Sequence, residues 1–331
     1  MKFLYSWSRA GFPLYCLDNV KISVLINNFN YGHFLDRAVQ SVVAQTARVD
    51  EIIVVDDGSS DNSLEVLKSW ADRDSRIQII AKKNGGQLSC FNAGFERCSG
   101  DIICFLDADD EYYLGYITRL QEVYRCHSQV DLTFCRCELV DGENVRHPPW
   151  ELNSTSDIDF GLTFCRTFFL REWLGGPTSA ISMRRALLAR ILPCALENEW
   201  LIRADDVLLY GAAALLGRKF YLAEKCVRHH VHGQNQWYGS KENLVEKIKH
   251  DLAVVKLLHH INPGFPSVRE YARGFSELFF QEFSTIPHPS LNDYKLYRRM
   301  ICKYGRRRRL KFGLKLWKQW RKIRRKQHYV P

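Results

Sequence analysis

No run of about 18 consecutive apolar residues occurs anywhere in the 331 residues, so the sequence carries no signal for a membrane-spanning helix. The opening stretch, MKFLYSWSRAGFPLYCLDNV, lacks the unbroken apolar core of a signal peptide because Ser, Arg, Gly and Pro interrupt it, and secretion is not expected. There is no C-x-x-C pair among the 11 cysteines, which mostly sit inside apolar runs such as IICFL and LTFCRC. They read as reduced core residues of a cytosolic protein, with a zinc site the lesser alternative. Internal repeats and low-complexity tracts are absent too. With 46% hydrophobic and 25% charged residues, the chain is expected to fold as one large or two ordinary globular domains rather than remain disordered. Acidic residues are missing altogether from Lys303 to Pro331, where 13 Lys and Arg occur. The net charge of +10 therefore belongs to this tail, and residues 1–302 are slightly acidic.

What is present in the first 140 residues is alternation. ISVLINN (22–28), EIIVVDD (51–57), IQIIA (77–81), DIICFLD (101–107) and VDLTFC (130–135) are short apolar, β-branched runs, the pattern of strands buried on both faces of a parallel sheet. Between them lie segments with apolar residues three and four apart, such as HFLDRAVQSVVAQT and DNSLEVLKSWADRD. The repeated βα unit predicts a doubly wound α/β sheet. Later, TSAISM, KFYLAE and CVRHHVH are expected as three further strands, and the chain from about Ser240 as helical.

Ligands of such sheets bind beyond the carboxyl ends of the strands, so the residues there carry the functional information. The first strand ends in Asn27, Asn28 and Phe29, the second in Asp56 and Asp57, the third is followed by NGGQ, and the fourth ends in Asp107, Asp109 and Asp110. Three carboxylates within four positions repel one another unless a cation or a set of donors holds them. DADD could also cap the following helix, and DDGSSD could be a plain turn; neither role excludes a ligand.

With these elements in this order, the chain resembles the family 2 glycosyltransferases of GT-A fold, which are inverting and nucleotide-sugar dependent. The resemblance is close over residues 21–110 and thinner over 176–235. It rests on four successive blocks: VLINNFNYGHFLDRAVQSVVAQT, IIVVDDGSSDNS, NGGQLSCFNAGF and SGDIICFLDADD. It implies a GT-A sheet over 21–235, preceded by an extension (1–20) and followed by a helical extension (236–305) and a basic tail (306–331). It further implies a DXD metal site, in which Asp107 and Asp109, with His232 of HHVHGQN, hold Mn2+ or Mg2+ beside the donor diphosphate. Asn27, Phe29, Asp57, Gly85, Gly86 and Asp107 would bind the nucleotide, a uridine diphosphate being favoured. Phe91 stands where many relatives place Arg before Asn92, which calls a phosphate contact from that position into question. The pair Asp205–Asp206 resembles the family's catalytic acid motif, with Asp206 the expected base and Asp205 in support.

In RRRRLKFGLKLWKQWRKIRRKQ, Leu310, Leu314, Trp317, Trp320 and Ile323 recur at three- and four-residue steps in a basic background. That spacing predicts an amphipathic helix over 306–326 on an anionic membrane surface. Nucleic acid is the competing partner, disfavoured because the remaining chain is slightly acidic and carries no recognition motif. The expected protein is thus peripheral at the cytosolic face of a membrane, transferring sugar to a glycan or lipid-linked acceptor in polysaccharide or glycolipid synthesis. The alternatives are a nucleotidyltransferase making sugar nucleotides and a non-catalytic nucleotide-sugar or nucleic-acid binding protein of the same fold.

Overall fold

The computed structural model describes residues 20–148, 152, 154–197, 203–233, 235, 244–261, 279–304 and 309–327. The expected N-terminal extension lies outside the described residues except for Val20, as does part of the helical pattern between 262 and 278.

The apolar runs become strands β1 (Ile22–Asn28), β2 (Glu51–Asp56), β3 (Ile77–Ala81) and β4 (Ile102–Asp107), all parallel, in the order β3-β2-β1-β4. Side chains alternate across the sheet as the pleat requires. Val24, Ile26, Val54, Cys104 and Leu106 enter one buried cluster, closed by Leu35, Val39, Leu67 and Trp70 of the crossover helices α1 (Gly32–Val43) and α2 (Ser63–Arg73). Leu25, Ile53, Val55, Ile103 and Phe105 face a second cluster with Leu88, Phe91 and Phe95 of α3 (Gln87–Phe95). IQIIA differs from expectation: β3 is the sheet edge and is only partly buried, because among the described residues no strand covers its outer side.

Beyond β4 the sheet becomes mixed. After the short β5 (Glu111–Tyr112) and the helix α4 (Tyr116–Cys126), β6 (Leu132–Asp141) runs parallel to β10 (Arg218–His230) but is separated from β4 by an antiparallel strand, β9 (Ile181–Arg184). Two small strands, β7 (Asn144–Arg146) and β8 (Ile158–Leu162), pair with β6 and β10. TSAISM is therefore not one strand. Thr178–Ala180 forms a 3-10 turn before β9, freeing the Thr178 and Ser179 hydroxyls for bonds to Gln87, Asp107 and Asp110. Conversely, KFYLAE and CVRHHVH merge into the single strand β10, whose register slips near Lys225 mark the bend between them.

After α5 (Phe164–Phe169) and α6 (Arg185–Leu188), α7 (Asp205–Ala214) packs against α8 (Leu244–Ile261), whose Ala253, Val254 and Leu257 join the second cluster. A third cluster unites Phe164 and Cys165 of α5 with Phe279 and Phe283, with Tyr297 and Ile301 of the helix Leu291–Tyr304, and with Leu316 of the helix Arg309–Gln327. The last helix corrects the expected membrane stripe. Leu316 is buried and the Trp320 ring stacks on Tyr294 at 5.0 Å, so Trp320 belongs to the packed side, while Leu314 and Trp317 remain exposed. The spacing of the tail could not separate two apolar faces less than half a turn apart. The side chains of Leu310 and Ile323 lie outside the described residues. Among the described residues no helix is long and apolar enough to cross a membrane.

Candidate active site

Parallel pairing brings the polar strand ends into register: Asn27 lies opposite Asp107, and Asn28 opposite Asp56. Asp56 is consumed locally, accepting from Asn28 Nδ2 at 2.7 Å and from the amide and hydroxyl of Ser59, so it shapes the turn after β2. Asp57 reaches the next loop. Its oxygens accept the amides of Gly85 (3.0 Å) and Gly86 (2.8 Å) and an ion pair from Lys82. Gly86 has φ +81, and a side chain at Gly85 would strike the Ser89 hydroxyl, so this loop needs its two glycines. The following Gln87 donates to Asp107 Oδ1 at 2.8 Å and to Thr178 Oγ1 at 3.1 Å. Asp57, the glycine loop and Asp107 thus form one connected unit. Phe29, 39% exposed, leaves a large ring to solvent at the end of β1. An open groove lined by Asp56, Gly58, Ser59, Leu64, Lys82 and Asn84 lies along the same edge.

Oxygens of Asp107, Asp109 and Asp110 lie within 4.8 Å of one another. Their environments differ. Asp110 is fully buried, yet it accepts from the Ser179 hydroxyl and the His230 amide (3.0 Å), with His229 Nδ1 also at 3.0 Å. Burial pushes its carboxyl up, but the imidazolium of His229 and these hydrogen bonds outweigh it and hold Asp110 below the usual range. The same pair overcomes the burial of His229 and raises it to about 10. Asp109 is pushed to about 7 by burial and then by Asp110. Burial and repulsion from both neighbours drive Asp107 well above the ordinary carboxylate range. One charge of the triad is compensated and two are not.

The residues fit a hard divalent cation. All three donors are carboxylate oxygens, the kind of ligand Mn2+ and Mg2+ take, and the buried Asn27 Oδ1 beside them has no hydrogen-bond partner among the described residues. His232 stands one contact further out. Its Nε2 is 3.0 Å from Asp109 Oδ2, which also accepts from Asn235 at 3.1 Å, and its ring stacks on Phe34 at 4.6 Å. The compact oxygen set is completed by Asp110, not by His232.

Asp205 and Asp206 open α7, both buried. Asp205 accepts from the Arg203 guanidinium at 2.7 and 3.3 Å and from the Asp206 amide at 3.0 Å. Burial still leaves its carboxyl raised, the pull of Arg203 being offset in part by Asp206. Asp206 is held by Trp173 Nε1 (2.9 Å) and lies against His250 Nε2 (3.0 Å). Nearby, the buried Lys219 donates to the carbonyl of Leu174 at 3.0 Å; burial lowers its ammonium to about 7 against the attraction of Asp206. Phe91 is core, its ring centroid 5.0 Å from that of Phe105.

Sequence reasoning missed Gln87, Ser179, His229, Asn235, Trp173 and His250. The first four sit inside stretches already quoted, NGGQ, TSAISM and HHVHGQN, so the signal was their neighbourhood. Trp173 and His250 had no signal of that kind.

The model of the family described as Glycosyl transferase family 2 matches residues 23–189. An uncharacterised glycosyltransferase of Nostoc sp. is 34% identical over 219 residues, 65% of this chain and 66% of that protein. A cholesterol galactosyltransferase of Borreliella burgdorferi is 38% identical over 90 residues, 27% of this chain and 25% of that protein. The chain therefore spans about two thirds of the length of one relative and a quarter of the other. Among solved structures, S. aureus TarS 1–349 in complex with UDP-GlcNAc superposes with a TM-score of 0.52 at 15% identity, covering 91% of this chain and 92% of that one. At that identity the likeness concerns the fold, a mixed α/β sheet flanked by helices.

Proposed function

The chain belongs to glycosyl transferase family 2, and on that premise we propose that it moves a sugar from a nucleoside diphosphate sugar to an acceptor hydroxyl with inversion at the sugar carbon. The observation that carries the reading is the acidic triad, with two uncompensated carboxylates beside the unpartnered Asn27 Oδ1 at the carboxyl edge of the sheet.

Asp107, Asp109 and Asp110 would hold Mn2+ or Mg2+, with His232 and Asn235 fixing Asp109 from outside. When bound, the cation supplies positive charge to the diphosphate as it departs. At the base end, the exposed Phe29 ring offers a stacking surface, and Asp57 Oδ2, which takes a hydrogen bond from Gly86, keeps capacity for a uracil imide N–H. Uridine diphosphate is the nucleotide named in the TarS complex, which supports trying UDP-sugars first. Asp206 is the base: it takes the acceptor proton while the acceptor oxygen attacks the sugar carbon from the face opposite the diphosphate.

Nucleotidyl transfer is less well supported, because amides of the loop after β1 are taken up by side chains of the loop after β2. The amide of Asn30 donates to Ser59 Oγ and that of Gly32 to Asp61, both at 2.8 Å, where a phosphate loop would present them to a ligand. Screening UDP-, GDP- and dTDP-sugars for thermal stabilisation and hydrolysis, with Mn2+ and then with EDTA, tests the assignment. Stabilisation by at least one nucleotide sugar, reversed by EDTA, is expected; no response to any of them sinks it.

The acceptor is proposed to be a glycan or lipid-linked hydroxyl at a cytosolic membrane face. Support comes from the basic helix Arg309–Gln327, whose Leu314 and Trp317 are exposed among Lys and Arg, and from the acceptor named for the Borreliella relative.

A further inference from the structure

The two acids that open α7 differ oxygen by oxygen. Asp205 meets a guanidinium through both oxygens. Asp206 has none: Oδ1 accepts the indole N–H of Trp173 at 2.9 Å, and Oδ2 lies 3.0 Å from His250 Nε2. An indole nitrogen can only donate, whereas the imidazole donates in the tautomer with its proton on Nε2.

The imidazole is itself held in place. It sits edge-on to Tyr210 of α7, ring centroids 5.7 Å apart, and its helix α8 is anchored by buried Ala253, Val254 and Leu257. Asp206 and His250 are 44 residues apart and meet only because α8 packs on α7.

Resting on the transferase reading above, we propose that His250 is a positioning residue for this reaction. It donates from Nε2 to Asp206 Oδ2 and, together with Trp173, fixes the carboxylate plane so that the second lone pair of Oδ2 meets the acceptor hydroxyl. In the step so served, the acceptor O–H bond breaks and its proton goes to Oδ2. The acceptor oxygen bonds to the anomeric carbon as the bond from that carbon to the diphosphate oxygen breaks, and the electron pair leaves with the diphosphate. A carboxylate gripped at one oxygen turns freely about its broad terminal torsion, and one gripped at both does not. Misplacement of a reacting group by about 1 Å costs on the order of 100-fold in rate. Both Asp206 and His250 lie beyond residues 23–189, so this contact comes from the chain's own C-terminal part and not from the segment matched by the family.

The test compares three substitutions in the full chain. The side-chain amide of His250→Gln can place a donor at the Nε2 position, His250→Asn falls about one bond short, and His250→Phe keeps a ring without a donor. UDP release from UDP-GlcNAc gives kcat and KM, Mn2+-dependent UDP affinity is followed by calorimetry, and a thermal melt confirms folding. His250→Asn and His250→Phe are expected to lose about 100-fold in kcat with donor KM changed less than about threefold, and His250→Gln to stay within about fivefold of wild type. Equal kcat in the Gln and Asn variants, or wild-type kcat in the Phe variant, overturns the positioning role and leaves the transferase reading standing. No turnover by the wild type with any UDP-, GDP- or dTDP-sugar overturns both.

Discussion

The triad that ends β4 and the pair that opens α7 are built from the same side chain, yet the fold holds them in different ways. In the pair, a guanidinium and an indole from the protein satisfy the acids, and a neighbouring imidazole completes the set. In the triad, the protein compensates Asp110 through His229 and leaves Asp107 and Asp109 repelling each other, the second raised to about 7. An acid cluster that the fold could neutralise but does not is a place for an external cation; a carboxylate held by neutral donors, as Asp206 is by the Trp173 indole, is suited to proton chemistry without one.

The largest expected effect separates the two sites by function. Asp206→Asn should reduce turnover by about a thousand-fold or more while nucleotide affinity stays within a few fold, since a base acts on the acceptor and not on the donor. Asp205→Asn, which loses only the Arg203 contact, should retain far more activity. If Asp205→Asn is the dead variant and Asp206→Asn the active one, the roles are exchanged. Next comes the cation. Asp109→Ala should weaken Mn2+-dependent UDP binding by about 100-fold, as EDTA should for the wild type. Calorimetry with equal affinities in both conditions would remove the metal from the triad.

A buried acid outside both clusters sharpens the contrast. Glu282, 1% exposed, forms no ion pair among the described residues and accepts the amides of Cys165 and Arg166 and the Tyr297 hydroxyl. Burial raises it from 4.5 to about 7 despite those bonds. With the folded value above the unfolded one, its contribution is complete below about pH 4.5 and is lost as pH rises through about 7, a swing of about 3 kcal/mol. Glu282→Gln should flatten that part of the stability profile in denaturant titrations; an unchanged slope would show that Glu282 does not titrate in the window. The smallest effect concerns opposite charge left outside. Trp317→Ser should weaken binding to anionic vesicles by about tenfold with little change in melting temperature, and Trp320→Ser should do the reverse. Vesicle co-sedimentation at rising salt, against an RNA competitor, checks it; tight RNA binding without vesicle binding would end the membrane proposal.

Local pattern made much of the fold and half of the site legible. Strands with apolar residues on both faces and helices with three- and four-residue spacing are short-range signals, and because parallel strands end on one edge, that pattern alone brings Asn27, Asp57, the glycine loop and Asp107 together. The insertion of β9 between β4 and β6 had no such signal, since four residues pairing antiparallel look like any short apolar run. Nor could spacing tell that Leu316 turns into the third cluster and Trp320 onto Tyr294 while Leu314 and Trp317, on the same helix, stay exposed.

Residue order alone establishes which side chains stand at the strand ends, that their carboxylates crowd, and that the tail is basic and helical. Which of those charges stay uncompensated follows from long-range packing. His229 reaches Asp110 across 119 residues and His250 reaches Asp206 across 44. Contacts of that range depend on how β10 and α8 pack onto the sheet, and a hydrogen bond between residues so far apart leaves no periodicity in the chain from which it could be read.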